Sequence, residues 1–594
     1  MCGLSGEFRY DGRAADVGAV ERMTATMVPR GPDGLGLWAA GPVALGHRRL
    51  KIIDLSERGA QPMVDSDLGL TVVFNGCIYN YEAIRAELIG LGYRFFSTSD
   101  TEVIGKAYHQ WGVRCVDHFV GMFAFAVLER DSGRLVLARD RLGIKPLYLT
   151  RDANRLRFAS TLPALLAGGG IGGEIDKVAL HHYMSFHSVV PPSRTILAGV
   201  EKLPQATIRV IEPNGAFVDE VYWRPDFTRR PEQADWTAHD WREAIEEKLR
   251  IAVRRRQVAD VPVGVLLSGG LDSSLIVALL AEAGQTGLAT FSVGFEASGG
   301  ESGDEFFYSD IIARRFGTDH HQIRVPGDTL LPAIDSAIAA MSEPMVSHDC
   351  VAFYLLSQEV AKHVKVVQSG QGADEVFAGY SWYPPLDDVP RADAVDAYAR
   401  VFFDRPHSAL KLILEPEFQL DNDVSRDLIE ALFAVPGAET SVDAALRNDS
   451  TIMLVDDPVK RVDNMTMAAG LEARTPFLDH ELVELAGACP PALKLADGGK
   501  GVLKAVGRPL MPNEVIDRPK GYFPVPAIRH LSGPFLERVR EALTDPVAKS
   551  RGLFRPDWVD AMLANPNDNR TTLGSNALWQ AALLEMWLQT QGVR

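Results

Sequence analysis

Apolar and polar positions along the chain follow two different rhythms. In the first third, short apolar runs recur between turn residues: "LGLWAA" (35–40), "VALGHRRL" (43–50), "LTVVFNG" (70–76), "MFAFAVLER" (122–130), "RLVLARD" (134–140) and "RLRFAS" (155–160). Bounded by Gly, Asp and Pro, they predict strands. Between them "YEAIRAELIGLG" (81–92) and "TEVIGKAYHQWG" (101–112) predict helices. Strands in groups broken by paired helices indicate a layered α+β domain rather than a βαβ fold. A polar stretch holding two prolines, "YWRPDFTRRPEQAD" (222–235), predicts a connection.

Beyond it the rhythm alternates. A helix over about 240–257 precedes an apolar strand "VPVGVLL" (261–267), a helix "SSLIVALLAEAG" (273–284), a strand "LATFSVGF" (288–295), a helix "EFFYSDIIARRFG" (305–317) and strands "HQIRV" (321–325) and "VKVVQ" (364–368). This order predicts a parallel sheet covered on both faces by helices. Ligands of such sheets bind at the carboxyl ends of the strands. Two glycine loops sit at such ends. The final stretch, with the helix-like "NALWQAALLEMWLQ" (576–589), carries no legible chemistry.

A length of 594 residues predicts several domains. The net charge of -17 argues against nucleic acid as a partner, since phosphate backbones need clustered Lys and Arg. The basic run Arg254–Arg256 reads as a solvated helix face, with Ile245, Leu249 and Val253 at helical spacing on the other side. No apolar run reaches bilayer length and no signal-peptide core opens the chain, so a soluble, cytoplasmic protein without membrane partners is expected. The five cysteines, Cys2, Cys77, Cys115, Cys350 and Cys489, are widely spaced and predict neither a disulfide scaffold nor a structural metal site.

The candidate chemistry begins at "MCGLSGEFRY". Removal of Met1 puts a thiol and a free α-amine on Cys2. Their ordinary pKa values, about 8.5 and about 7.7–8.0, lie close together. The amine can therefore take the thiol proton and generate the nucleophile. Cys2 is followed by "PRGPDG" (29–34), "LGHRRLKIID" (45–54), "FNGCIYNY" (74–81), "SDTEV" (99–103) and "ARDRLGIKPLY" (138–148). Together these strings resemble the class II glutamine amidotransferase domain, an α+β N-terminal-nucleophile fold with αββα layers, over residues 2–210. The resemblance implies that Cys2 attacks the glutamine carboxamide and that Asn75 and the Gly76 N–H form the oxyanion hole. It implies further that Arg49 holds the glutamine α-carboxylate, that Asp100 meets its α-ammonium, and that Arg30 stands near the nucleophile. Cys77 departs from the pattern, which commonly has Glu there.

The second motif is "VGVLLSGGLDSS" (263–274): strand, glycine turn, Asp, two serines, helix. Gly269 and Gly270 let backbone N–H groups approach an anion, and the helix N-terminus adds its dipole. The chain has no Walker A lysine pattern. The string resembles the PP-loop of α/β ATP pyrophosphatases, which cleave ATP between the α and β phosphates. That resemblance implies that Ser268, Gly269, Gly270, Asp272, Ser273 and Ser274 hold pyrophosphate, that "TFSVGF" with Val293 lines the adenine pocket, and that Asp272 places Mg²⁺.

Both halves together, with "AAGLEARTPFLDHELVELA" (468–486) and "IDRPKGYFPVP" (516–526), resemble the glutamine-hydrolysing asparagine synthetases over nearly the whole chain. The implied plan is a glutaminase domain (2–210), a linker (211–238) and an ATP-binding synthetase domain (239–594), taking glutamine, ATP and a carboxylate acceptor; family members often form homodimers. The loop "SGQGADE" (369–375) then supplies Ser369, Gly370 and the second metal carboxylate, Asp374, while Lys520 neutralises charge at the α-phosphate. Family members typically have Glu where this chain has Gln371. A carboxamide is no useful base near neutral pH. With "NGCIYN" and the chain length, the change resembles the branch that amidates the blocked dipeptide N-acetylglutaminylglutamine. Aspartate is the alternative acceptor. A catalytically idle binding protein, or a ring-closing ligase of the β-lactam synthetase kind, fits less well with a retained Cys2.

Overall fold

The computed structural model describes residues 2–295, 306–347, 349–518 and 526–594. The first half holds two six-stranded antiparallel sheets. One follows the order β10 (Val200–Lys202), β8 (Tyr148–Arg151), β9 (Arg155–Ala159), β1 (Gly3–Arg9), β3 (Val43–Arg49) and β2 (Gly34–Ala40). The other runs β12 (Phe217–Val221), β11 (Thr207–Ile211), β7 (Leu135–Arg139), β6 (Gly121–Glu129), β5 (Leu70–Ile78) and β4 (Met63–Asp65). Leu4, Phe8 and Leu45 of the first sheet share one buried cluster with Val73, Ala126 and Leu137 of the second. Helix Val17–Thr26 packs on β1 and β3, and helix Asp100–Trp111 on β5. The central strands are thus covered on both faces, which is why "LTVVF" and "FAFAV" read as continuous apolar runs.

Residues 211–238 were expected as linker, yet residue 211 ends β11 and residues 217–221 form β12. All five β12 residues are exposed on a sheet edge, so the sequence there lacks the alternation that marks a half-buried strand. The connection begins after Val221 and ends at helix Ala238–Arg255, whose capping box joins Thr237 and Asp240.

The second half carries a parallel sheet in the order β15 (Asp319–Val325), β14 (Ala289–Phe295), β13 (Val263–Leu266), β16 (Val366–Gln368) and β17 (Glu472–Arg474). Three-residue β17 lies in a string read only for its motif. Helix Leu271–Glu282 follows β13, and nine of its twelve residues are buried, which accounts for its unbroken apolar character. At the C-terminus, Ala577–Leu588 are all buried in helix Ala577–Thr590, packed against helices Leu330–Ala340 and Gly533–Thr544. Among the described residues, no helix is long and apolar enough to cross a membrane.

Candidate active site

Strand β1 places Cys2 beside the end of β5. The Cys2 backbone N donates to Asn75 Oδ1 at 3.0 Å. That contact turns the Asn75 amide so that Nδ2, fully buried, has no hydrogen-bond partner among the described residues. An orphaned buried donor costs about 1–3 kcal/mol, a cost that an incoming oxyanion removes. Next to it Gly76 has φ 155°, and a Cβ there would stand 2.1 Å from Met122 O. Only glycine fits.

The cavity beside Cys2 is lined by Arg49, Gln61, Cys77, Asp100, Glu472 and Arg474 among others. The Arg49 guanidinium is held by backbone carbonyls, donating to Ser56 O at 2.7 Å and to Asp54 O. Asp100, at the start of its helix, accepts from Ile78 N at 3.2 Å. Burial, with the negative charge of Glu472 adding to it, pushes its carboxyl up to about 6. A cationic ligand would relieve that strain on its charge. Burial also raises the Cys2 thiol, while a hydrogen bond from the Leu50 backbone and the Arg49 charge act in the opposite direction. The Cys77 thiol faces the same cavity, and burial pushes it above the ordinary thiol range.

Two lining residues were missed in the sequence. Glu472 and Arg474 come from β17, on the synthetase sheet, and pair at 2.6 Å. Arg474 also donates to Arg256 O at 2.9 Å and Val258 O at 2.7 Å. Burial opposes ionisation of Glu472, but the charges of Arg474 and Lys145 act against it and help keep the carboxylate ionised. Their only signal was the "LEAR" string, which says nothing about a neighbouring domain.

Arg30 does not enter the lining. Its Nε donates to Cys2 O at 3.4 Å, and its Nη1 bonds Asp463 Oδ2 at 2.9 Å, across the boundary between the halves. Lys145 Nζ reaches the other Asp463 oxygen at 3.2 Å. Close by, Lys202 bridges Asp456 at 2.6 Å and Glu343 at 2.9 Å. The halves therefore meet through buried, paired charges behind Cys2.

The second site lies at the carboxyl edge of the parallel sheet, where adjacent strands β13 and β16 each end in a glycine loop. Gly269 has φ 71°, and a Cβ would lie 2.5 Å from Ser309 N. Gly270 caps the following helix. Ser268 Oγ meets Ser273 Oγ at 3.2 Å, and the Ser274 hydroxyl is buried with no hydrogen-bond partner among the described residues. Val293 is half-buried near the end of β14. From β16, Ser369 N donates to Arg474 O at 2.8 Å. Gly370 lets this loop touch the first, since a Cβ there would stand 2.9 Å from Asp272 Cβ. Gln371 follows, half-buried. Lys520 lies outside the described residues.

Asp272 and Asp374 do converge, around a group the sequence did not reveal. Lys500 Nζ is 2.6 Å from Asp272 Oδ2 and 2.9 Å from Asp374 Oδ1. Burial lowers the Lys500 ammonium, but the two carboxylates outweigh it and raise it above its ordinary value. Two carboxylates directed at one cationic position are a donor set that fits Mg²⁺, a hard ion held through oxygen. Glu375, also missed, is buried with Tyr380 OH donating at 2.7 Å; burial and the Asp374 charge push it up to about 7.

A nucleophile pocket of amidotransferase type thus sits in one chain with a two-loop anion site of nucleotide type. A family model described as "Glutamine amidotransferase domain" matches residues 1–223, and one described as "Asparagine synthase" matches residues 244–589. The chain is similar to asparagine synthetase [glutamine-hydrolyzing] 3 of Bacillus subtilis, with 31% identity over 88% of this chain and 87% of that protein. Asparagine synthetase [glutamine-hydrolyzing] 1 of the same organism gives 30% over 99% and 96%. Amidase chry2 of Gibberella zeae gives 26% over 94% and 93%. The chain belongs to the asparagine synthase family and is a glutamine-hydrolysing carbon–nitrogen ligase.

Proposed function

We propose that this enzyme adenylates a substrate carboxylate with ATP and amidates it with ammonia from glutamine, and that the acceptor is N-acetylglutaminylglutamine. The observation that carries the chemistry is the orphaned Asn75 Nδ2 beside Cys2. It is a pre-aimed donor for a tetrahedral oxyanion, and such donors are worth about 2.7–4 kcal/mol in the transition state. In the mature chain the Cys2 α-amine takes the thiol proton, and sulfur attacks the glutamine carboxamide. Asn75 Nδ2 and Gly76 N–H receive the negative oxygen, the α-amine returns its proton to the leaving nitrogen, ammonia departs, and water then hydrolyses the Cys2 thioester to release glutamate. Arg49 orients the α-carboxylate and Asp100 the α-ammonium. The helix–sheet–sheet–helix layering of an N-terminal-nucleophile hydrolase is the scaffold we infer for residues up to Val221.

In the second half, Ser268, Gly269, Gly270, Ser273, Ser274, Ser369 and Gly370 bind the pyrophosphate portion of ATP, and Val293 borders the adenine. Asp272 and Asp374 hold Mg²⁺, which when bound neutralises phosphate charge. Lys500 keeps the two carboxylates together, and Lys520 meets the charge at the α-phosphate. The acceptor carboxylate attacks that phosphorus, pyrophosphate leaves, and ammonia then displaces AMP. The charged groups Arg30, Asp463 and Lys145 pair where the two halves meet, beside Cys2.

Gln371 supports the dipeptide over aspartate. In place of a carboxylate it offers a neutral donor and acceptor, suited to an amide-rich, N-blocked substrate without an α-ammonium. The test is pyrophosphate release with ATP, Mg²⁺ and glutamine, offering either acceptor and weighing the products by mass spectrometry. Amidated dipeptide without asparagine is expected. Asparagine as the product would overturn the acceptor assignment and leave the ligase chemistry standing.

A further inference from the structure

A second cluster of ligating side chains lies away from both sites, where the halves meet again. Helix Lys177–Ser185 of the first half brings His181 against His407, the first residue of helix His407–Ile413, and Asp423, the cap of helix Val424–Ala434. We propose that His181, His407 and Asp423 form a binding site for a divalent transition metal, of the zinc or cobalt type, that clamps the amidotransferase half to the helical region of the synthetase half.

Geometry carries the proposal. His181 Nε2 lies 2.9 Å from His407 Nδ1 and 3.9 Å from Asp423 Oδ1, and one ligand atom from each residue falls within 4.8 Å of the others. A tetrahedral ion with metal–ligand bonds of about 2.0–2.1 Å separates its ligands by about 3.3 Å. The observed separations bracket that edge, so small side-chain shifts suffice. Two imidazoles and one carboxylate suit zinc and its neighbours, and water completes the fourth position.

The surroundings match. Ser425 Oγ is 2.8 Å from His181 Nδ1 and 2.9 Å from His182 Nδ1. Donation from His181 Nδ1–H to Ser425, and from the Ser425 hydroxyl to His182, leaves the His181 Nε2 lone pair directed at the cluster. Metal-bound histidines are oriented by such outer hydrogen bonds. Asp423 Oδ1 accepts from Arg426 N at 3.1 Å, which fixes the carboxylate at the helix start.

The test uses the full-length chain carrying Cys2→Ala, which removes the one thiol of the glutamine site proposed as a nucleophile. After dialysis against a chelator, Co²⁺ is titrated in excess Mg²⁺ while visible d–d absorption and calorimetry are followed. The expected result is one equivalent bound with a low-symmetry d–d spectrum and a raised melting temperature, lost in His181→Gln and in His407→Gln. Ser425→Ala, a milder change that preserves packing, should weaken Co²⁺ binding by about 10–100-fold. No Co²⁺ binding above the Mg²⁺ background, or binding unaltered by His407→Gln and Ser425→Ala, would show that the cluster is a hydrogen-bonded contact and overturn the proposal.

Discussion

Replacing Asp100 with Asn should make the free protein more stable and its glutamine use worse. Asp100 is wholly buried, and its carboxyl stands at about 6 against an ordinary 3.8. Because the folded value is the higher one, the native state holds its proton where the unfolded chain has lost it. Stability therefore falls as pH rises between about 4 and 6, and the full cost is present at pH 8. At about 1.4 kcal/mol per pH unit of the gap, that cost is about 3 kcal/mol. An amide at 100 still accepts from Ile78 N, but it loses the helix-dipole interaction worth about 0.3–1 kcal/mol. A net gain of about 2 kcal/mol remains, a rise of roughly 4–8 °C for a unit of this size. A charge-assisted bond to the glutamine α-ammonium, worth about 1.5–3 kcal/mol, disappears, raising the glutamine KM by about 10–100-fold. Differential scanning calorimetry and glutaminase kinetics read both effects, and ammonium-dependent turnover should be unchanged. The wild-type KM for glutamine should likewise climb below about pH 6. A destabilised Asp100→Asn protein with normal glutamine KM would refute the reasoning.

Cys2→Ala should abolish glutamine-dependent turnover while ammonium still supports product; loss of both would break the division of labour. Gly269→Ala should remove pyrophosphate release, because its Cβ would meet Ser309 N at 2.5 Å at a φ of 71°, whereas intact activity would mean the loop does not hold phosphate in this shape. Asp463→Ala should lower stability in urea denaturation by about 3–5 kcal/mol, since it strands Arg30 and Lys145 as unpaired buried charges; a change below about 1 kcal/mol would mean that water reaches them.

Local pattern made much of this legible. The antiparallel strands, the parallel alternation and both glycine loops follow from apolar period and turn residues, and Cys2, Asn75 and Gly76 lie together as their strings suggested. What escaped depends on contacts between distant segments. Glu472 and Arg474 reach the glutamine cavity only because β17 is the last strand of a sheet that docks behind Cys2. Lys500 precedes its helix at φ 55° in a glycine-rich turn, with no spacing that ties it to Asp272 or Asp374. Edge strand β12 was hidden by its exposure. The cluster of His181, His407 and Asp423 joins three helices that nothing in their separate sequences connects.

The central claim is that the two sites form one machine, passing nitrogen from the Cys2 pocket to the acyl intermediate. It is tested most directly by turnover with glutamine labelled with ¹⁵N in the side-chain amide, in a large excess of unlabelled ammonium, with product nitrogen read by mass spectrometry. The account predicts product amide enriched in ¹⁵N well beyond the bulk ammonium pool, and no enrichment in Cys2→Ala. Product carrying only the isotope ratio of the bulk pool would contradict it.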